Sequence, residues 1–112
     1  MKMVAKAKAR YIRISPRKAN EVVKLVRGMQ VNKALSILYS LNKKASIYLI
    51  KLIKSAISNA ENKGLSKDSL YISRLVVNPG PMLKRYRAAS FGRAVMIRKR
   101  TSHIELELDL IS

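Results

Sequence analysis

The spacing of apolar residues predicts three strands. Residues 3–13 and 104–110 alternate between apolar and polar positions, and residues 70–77 are rich in β-branched side chains. In the first strand the inward positions are Met3, Ala5, Ala7, Ala9 and Tyr11. In the last strand Ile104, Leu106, Leu108 and Leu110 face inward, and Glu105, Glu107 and Asp109 face outward. We expect the small alanine face of the first strand to approach a helix, and its basic outer face to pair with the acidic face of the last strand.

Three segments between these strands repeat apolar residues every three or four positions, which predicts helices. The first begins at Ser15 and Pro16, a capping residue and a residue suited to the first helical position, and ends at Gly28. The second covers about residues 32–41. The third covers about residues 43–62 and ends before Gly64. It carries one apolar stripe, and a second apolar face predicts burial on more than one side. The second face consists of Ile47, Ile50 and Ile57.

Residues 83–104 break this pattern, because they contain seven Lys or Arg residues and no acid. Unpaired charge is too costly to bury, so this segment does not belong to the core. Pro79 and Pro81 cannot donate to a sheet, so we expect regular pairing to stop, or to run along an edge, at this point. The two flanking strands would bracket an antiparallel hairpin with its tip near residues 90–92. At about 3.3 Å per residue, such an arm could extend roughly 40 Å.

The expected fold class is therefore α+β. Three helices pack on a small antiparallel three-stranded sheet, from which a long β-hairpin arm protrudes. Residues 1–112 form a single domain, with a body of residues 1–80 and 101–112 and an arm of about residues 81–100.

Charge gives the main functional indication. The net charge is +18, from 24 Lys or Arg residues and 6 acids, well above the magnitude of about 2 to 8 that solubility requires. Such a field attracts nucleic acid first and an anionic membrane second. The cations cluster in the first eighteen residues and in the arm. The predicted RNA-binding residues are Lys6, Lys8, Arg10, Arg13, Arg17, Lys18, Lys84, Arg85, Arg87, Arg93, Arg98, Lys99, Arg100 and His103.

Other chemistry has little support. The chain has no cysteine and one histidine, His103, so neither a metal site nor a cofactor site is predicted. The four glycines are too widely spaced for a phosphate loop, and no window is apolar enough for a membrane span. The chain is not expected to be an enzyme, and His103 is assigned a structural or RNA-contacting role. Two alternatives stay open: an RNA-processing enzyme that uses His103, and a basic protein that binds a membrane surface.

Several short motifs resemble one family across nearly the whole chain. Residues 99–104 read KRTSHI and follow Gly92, Arg93, Ala94 and Ile97. Residues 15–18 read SPRK, and residues 56–61 read AISNAE. Gly80 and Pro81 precede the arm. Together they resemble the large-subunit ribosomal protein numbered twenty-two, in its bacterial or organellar form.

The resemblance implies a structural RNA-binding protein of the large ribosomal subunit that supports assembly, in cytoplasmic or organellar ribosomes. Its expected partners are large-subunit ribosomal RNA, neighbouring large-subunit proteins and the nascent polypeptide. It implies that the arm lines the exit tunnel through Ser90, Phe91, Gly92, Arg93 and Ala94. The family often has a Pro-Arg-Ala run before the tip glycine, where residues 88–91 of this chain read Ala-Ala-Ser-Phe.

Overall fold

The computed structural model describes residues 4–81, 83–88 and 94–111, with side chains for residues 4–81 and 100–111. The elements in chain order are β1 (Ala5–Ile12), α1 (Pro16–Val26), α2 (Val31–Ser40), α3 (Lys44–Glu61), a 3₁₀ turn (Lys67–Ser69), β2 (Leu70–Pro79), β3 (Leu83–Ala88), β4 (Ala94–Lys99) and β5 (Ser102–Leu110). Three helices and an antiparallel three-stranded sheet confirm the α+β fold class.

The three-stranded sheet has the order β1-β5-β2, and both pairings are antiparallel. The last strand therefore lies in the centre, with Ala5 opposite Leu108 and Ile72 opposite the same residue on the other side. This confirms that the first and last strands pair and that β2 and β5 bracket the hairpin. β2 is an edge strand, which explains why it can extend to Pro79, opposite Ser102.

The helices cover one face of the sheet. α3 packs on β1 and β5, α1 packs on β2, and α2 packs on α3. The small face of β1 does approach a helix, because Ala5 and Ala7 are buried where α3 contacts that strand. The predicted stripe of α3 is fully buried: Ala45, Leu49, Leu52, Ile53, Ala56 and Ala60. Burial of each large apolar side chain in this stripe stabilises the fold by about 1.5–3 kcal/mol.

The helix ends follow the sequence signals. The Ser15 hydroxyl accepts a hydrogen bond from the N–H of Lys18 at 3.4 Å, and Pro16 opens α1. Gly28, just after α1, has φ +81°, a left-handed conformation that glycine adopts without strain. The second apolar face of α3 is only partly right. Ile57 is buried, but Ile47 is 55% exposed.

Alternation fails at two strand ends. Tyr11 was expected to face inward, but it is 63% exposed. A register shift between Ala9 and Ile12 turns Tyr11 outward, with φ 56°, and Ile12 is buried in its place. Asp109 was expected to face outward, but it is buried, and its Oδ1 accepts the N–H of Leu110 at 2.8 Å. Leu110, expected inside, is correspondingly 36% exposed.

β3 and β4 form a separate two-stranded antiparallel sheet that closes at the pair Ala88 and Ala94. In the described part of the chain, these strands pack mainly on each other. The principal extents of the molecule are 64 × 25 × 20 Å, and its radius of gyration is 17.1 Å. A compact domain of this length has a radius of gyration of about 13 Å. The hairpin is thus an extension of the fold, although the exact division into body and arm stays a prediction.

Candidate nucleic-acid interface

The outer face of β1 is basic, but acids lie beside it. The register places Lys6 opposite Glu107 and Lys8 opposite Glu105. The Lys8 Nζ lies 3.4 Å from Glu105 Oε1. Arg74 on β2 approaches the same two acids, at 3.1 Å from Glu105 and 3.7 Å from Glu107. The expected pairing of the basic and acidic faces is therefore present, and Lys8 is partly neutralised by it.

These contacts also change the acidity of one group. The hydrogen bond from Arg74, together with the hydrogen bond and charge of Lys8, holds the pKa of Glu105 below its ordinary value of 4.5. Glu105 stays ionised and paired over the physiological range. This carboxylate is the nearest one to His103 in sequence. Because it is already paired with two cations, it is poorly suited to act with that histidine in acid–base catalysis.

A second basic surface lies at the connection between β1 and α1. Arg13 and Lys18 line a depression of about 1010 Å³ together with Arg100, which joins β4 to β5. We call it the basic depression. It is lined by Arg13, Ile14, Ser15, Lys18, Glu21, Lys43, Lys44, Ala45, Tyr48 and Arg100. Arg100 thus converges on one concavity with two predicted RNA-binding residues that are more than 80 positions earlier in the chain.

The structure adds three residues that the sequence did not indicate. Lys43 and Lys44 start α3, and Tyr48 follows one turn later, half-buried at the wall of the basic depression. They were missed because lysines at a helix start are a common solvated pattern. The only available signal was that Lys43 and Lys44 are adjacent at the start of a helix with no acid in its first turn.

The electrostatics of the basic depression favour an anion. α1 and α3 both begin at its wall, and neither has an acid in its first turn. The N-terminus of a helix carries partial positive charge and unpaired N–H groups. In the described part of the chain, Arg13, Lys18, Lys43, Lys44 and Arg100 have no carboxylate within 4.0 Å. Their charges are therefore available to an external ligand.

His103 lies at the base of the hairpin and has a packing role. Its Nδ1 accepts the N–H of Tyr11 at 3.1 Å, and the two rings meet edge to face with centroids 4.8 Å apart. Gly80 packs on the other atoms of the ring, and a Cβ at Gly80 would lie 3.2 Å from Cε1 and Nε2. These contacts favour the structural role for His103 over an RNA-processing role.

The remaining predicted residues lie apart from the basic depression. Arg10 and Arg17 are exposed on the body but do not line it. Five arm cations lie in the paired strands, where only the backbone is described: Lys84, Arg85, Arg87, Arg98 and Lys99. The register pairs Lys84 with Arg98. Ala94 opens β4, whereas the other predicted tunnel residues (Ser90, Phe91, Gly92 and Arg93) lie outside the described residues.

Two other kinds of site have no support in the part of the chain that the structure describes. Among the described residues, no group of three or more His, Cys, Asp or Glu side chains is placed to hold a metal ion. The helices in the same part of the chain are also too short or too polar to cross a membrane.

The chain is similar to known proteins over most of its length. The family described as ribosomal protein L22p/L17e matches residues 7–109. The chain is 50% identical over 105 residues to the large ribosomal subunit protein uL22 of Halothermothrix orenii, covering 93% of each chain. It is 52% identical over 103 residues to the protein of the same name from Pelotomaculum thermopropionicum, covering 91% of each. The corresponding protein of Clostridioides difficile is 49% identical over 105 residues, covering 93% of this chain and 95% of that one. The chain therefore belongs to the ribosomal protein L22p/L17e family, a family of structural ribosomal proteins and not of enzymes.

Proposed function

We propose that this protein is a structural component of the large ribosomal subunit that binds ribosomal RNA through both its hairpin arm and its body. The observation that carries the proposal is the hairpin itself. It has cations in both strands and, in the described part of the chain, packs mainly on itself. Relatives that are about half identical to the chain are named as large ribosomal subunit proteins, and this supports the same assignment here.

The energetics of the hairpin support an RNA partner. A lone two-stranded ribbon is marginally stable in water, and like charges directly opposite each other on paired strands destabilise it further. Lys84 and Arg98 are such a pair. RNA phosphates around the arm would replace this repulsion with attraction. The arm thus gains order from a polyanion, as expected for a segment that threads between RNA helices and contributes to subunit assembly.

The arm is also proposed to reach the exit tunnel, with residues 90–94 at the tunnel wall beside the nascent polypeptide. Three of these residues, Ser90, Gly92 and Ala94, are small and would suit a narrow space. A photo-cross-linker at position 91 in assembled ribosomes should capture nascent chains. The same cross-linker at position 25, which is exposed on α1, should not. Equal capture at both positions would exclude the tunnel assignment.

Association with the large subunit is the first test. A tagged copy of the full chain should sediment with large subunits when gently lysed cells are fractionated at low salt. Sedimentation free of large subunits under these conditions would refute the proposed function.

The role of the arm needs a matched comparison. The triple variant Arg85→Gln, Arg87→Gln, Arg98→Gln should weaken binding to a large-subunit RNA transcript. It should also reduce the slope of log affinity against log salt by about 3, or about 1 for each lost phosphate contact.

The control removes the same charge from exposed positions on the helices: Lys24→Gln, Lys33→Gln, Lys51→Gln. It should change the slope by much less. Equal losses in the two triple variants would mean that net charge, and not the arm, determines binding.

A further inference from the structure

We propose that the basic depression is a distinct RNA site of the body that holds unpaired nucleotides, with phosphates at Lys43, Lys44 and Arg100 and a base against Tyr48. The inference rests on the proposed function for the choice of RNA as the ligand. It goes beyond that function by naming a site, an RNA conformation and three residues, Lys43, Lys44 and Tyr48, that do not belong to the arm or to the basic N-terminal segment.

The first step concerns charge. Five cations from separate parts of the chain line this one concavity, and none has a carboxylate within 4.0 Å among the described residues. The starts of α1 and α3 add partial positive charge from two directions. A surface that merely keeps a protein soluble has mixed charges, whereas this concavity contains a single acid, Glu21.

The second step concerns shape. A depression of about 1010 Å³ has the size of pockets that enclose small ligands. An A-form RNA helix keeps its bases stacked between a deep, narrow major groove and a shallow minor groove, so its bases could not enter this depression. Unpaired nucleotides can bend into a concavity and expose their bases. The geometry therefore favours a loop, bulge or single-stranded segment of RNA over a helix.

The third step concerns Tyr48. Proteins that bind single-stranded nucleic acid combine a basic groove with an aromatic side chain on which a base stacks. Tyr48 is half-buried at the wall of the basic depression, one turn after Lys44 on α3. Its packing against the core holds the ring in place. An acidic peptide could use the cations, but it has no planar base to stack on this ring.

Glu21 predicts where the phosphates lie. It follows Lys18 by three residues on α1 and so faces the same side of that helix. Its negative charge would repel a phosphate near Lys18. The main phosphate contacts are therefore expected at the lining cations that do not belong to α1, namely Lys43, Lys44 and Arg100. Replacing Glu21 by Gln should consequently tighten RNA binding instead of weakening it.

The test uses the full chain and a single-stranded decauridylate, U10, that contains 4-thiouridine. Irradiation and mass spectrometry should locate cross-links at Tyr48 and at neighbouring residues of α3, in addition to cross-links on the arm. Cross-links confined to the arm would overturn the inference. A ten-base-pair RNA duplex should give no cross-link in the basic depression, and duplex cross-links equal to those of U10 would refute the preference for unpaired RNA.

Affinity measurements separate site-specific charge from overall charge. The variant Lys43→Gln, Lys44→Gln should lower U10 affinity at least tenfold at moderate salt. It should also reduce the slope of log affinity against log salt by about 1.4, because each of the two lost phosphate contacts to a single strand contributes about 0.7. The control Lys24→Gln, Lys33→Gln has the same net charge and also changes exposed helix residues. Equal losses in the two variants would refute the site.

Tyr48→Leu, which keeps an apolar side chain, should lower U10 affinity about five- to a hundredfold, whereas Tyr48→Phe should bind as the wild type does. Circular dichroism verifies that each variant is folded, and Glu21→Gln gives a gain of binding that unfolding cannot imitate. If the wild-type chain failed to bind large-subunit RNA at all, the proposed function would fail. If it bound and these variants had no effect, only this inference would fail.

Discussion

Gly80 lies at the base of the arm, where the hairpin leaves the sheet, and an added methyl group has no room there. A Cβ at this position would lie 2.5 Å from Thr101 Oγ1 and 3.2 Å from the His103 ring. Thr101 is buried, and its hydroxyl donates to the carbonyl of Pro81 at 2.6 Å. We therefore expect Gly80→Ala to displace the Thr101 side chain and break this hydrogen bond.

The magnitude follows from these two effects. Overpacking a close contact costs about 1–3 kcal/mol, and the net loss of one hydrogen bond costs about 0.5–1.5 kcal/mol. By their sum, Gly80→Ala should lower the free energy of unfolding by about 1.5–4.5 kcal/mol. Urea titration of the full chain, followed by circular dichroism, measures this as a lower midpoint with an unchanged slope.

A double-mutant cycle tests the cause. Thr101→Ala removes the obstructing oxygen, so Gly80→Ala and Thr101→Ala together should cost about 1–2 kcal/mol less than the sum of the single changes. Gly28→Ala is the matched control. Its φ of +81° makes alanine unfavourable, but no atom lies within 4 Å of the new methyl group, so its cost should add to that of Thr101→Ala. Additivity within about 0.5 kcal/mol at Gly80 would refute the steric explanation.

Two further predictions concern single side chains. The Ser46 hydroxyl is buried and has no hydrogen-bond partner among the described residues. Ser46→Ala should therefore raise the free energy of unfolding by about 1 kcal/mol in urea titration. The control Ser36→Ala, which removes an exposed hydroxyl that has a hydrogen-bond partner, should change the free energy of unfolding by less than about 0.5 kcal/mol. Arg74 and Lys8 lower the pKa of Glu105, so wild type should have a higher free energy of unfolding than Glu105→Gln. This difference should be fully present above pH 4.5 and should vanish as the pH falls through the lowered pKa. A difference that persists in strong acid would contradict this origin.

Much of the fold could be predicted because its periodicities are regular. Strict alternation from Ile104 to Leu108 identified the last strand, and the basic and acidic faces of β1 and β5 indicated that they pair. Local exceptions were not predictable. The bulge that turns Tyr11 outward is accompanied by a contact with His103, 92 residues away, which no local pattern records.

The candidate site was predicted less completely than the fold. Charge clustering identified Arg13, Lys18 and Arg100, but Lys43 and Tyr48 have the local pattern of an ordinary helix start and an ordinary core aromatic. They become a site only when packing brings the start of α3 next to the turn after β1. Tertiary contact, and not residue type, is the information that the sequence alone did not supply.

The central position of β5 has a consequence for how the protein folds. β1 and β2 share no direct pairing, and both depend on a strand that follows the whole arm in the chain. A nascent chain in which β5 has not yet been released therefore has two unpaired strands and an incomplete core. Closing the segment between β2 and β5 carries an entropic cost that depends on the length of free chain. A ligand that stabilises the pairing of the two hairpin strands shortens this free chain. Ordering of the arm should thus accelerate folding of the body, so that the proposed RNA partner would also affect the folding kinetics of the protein.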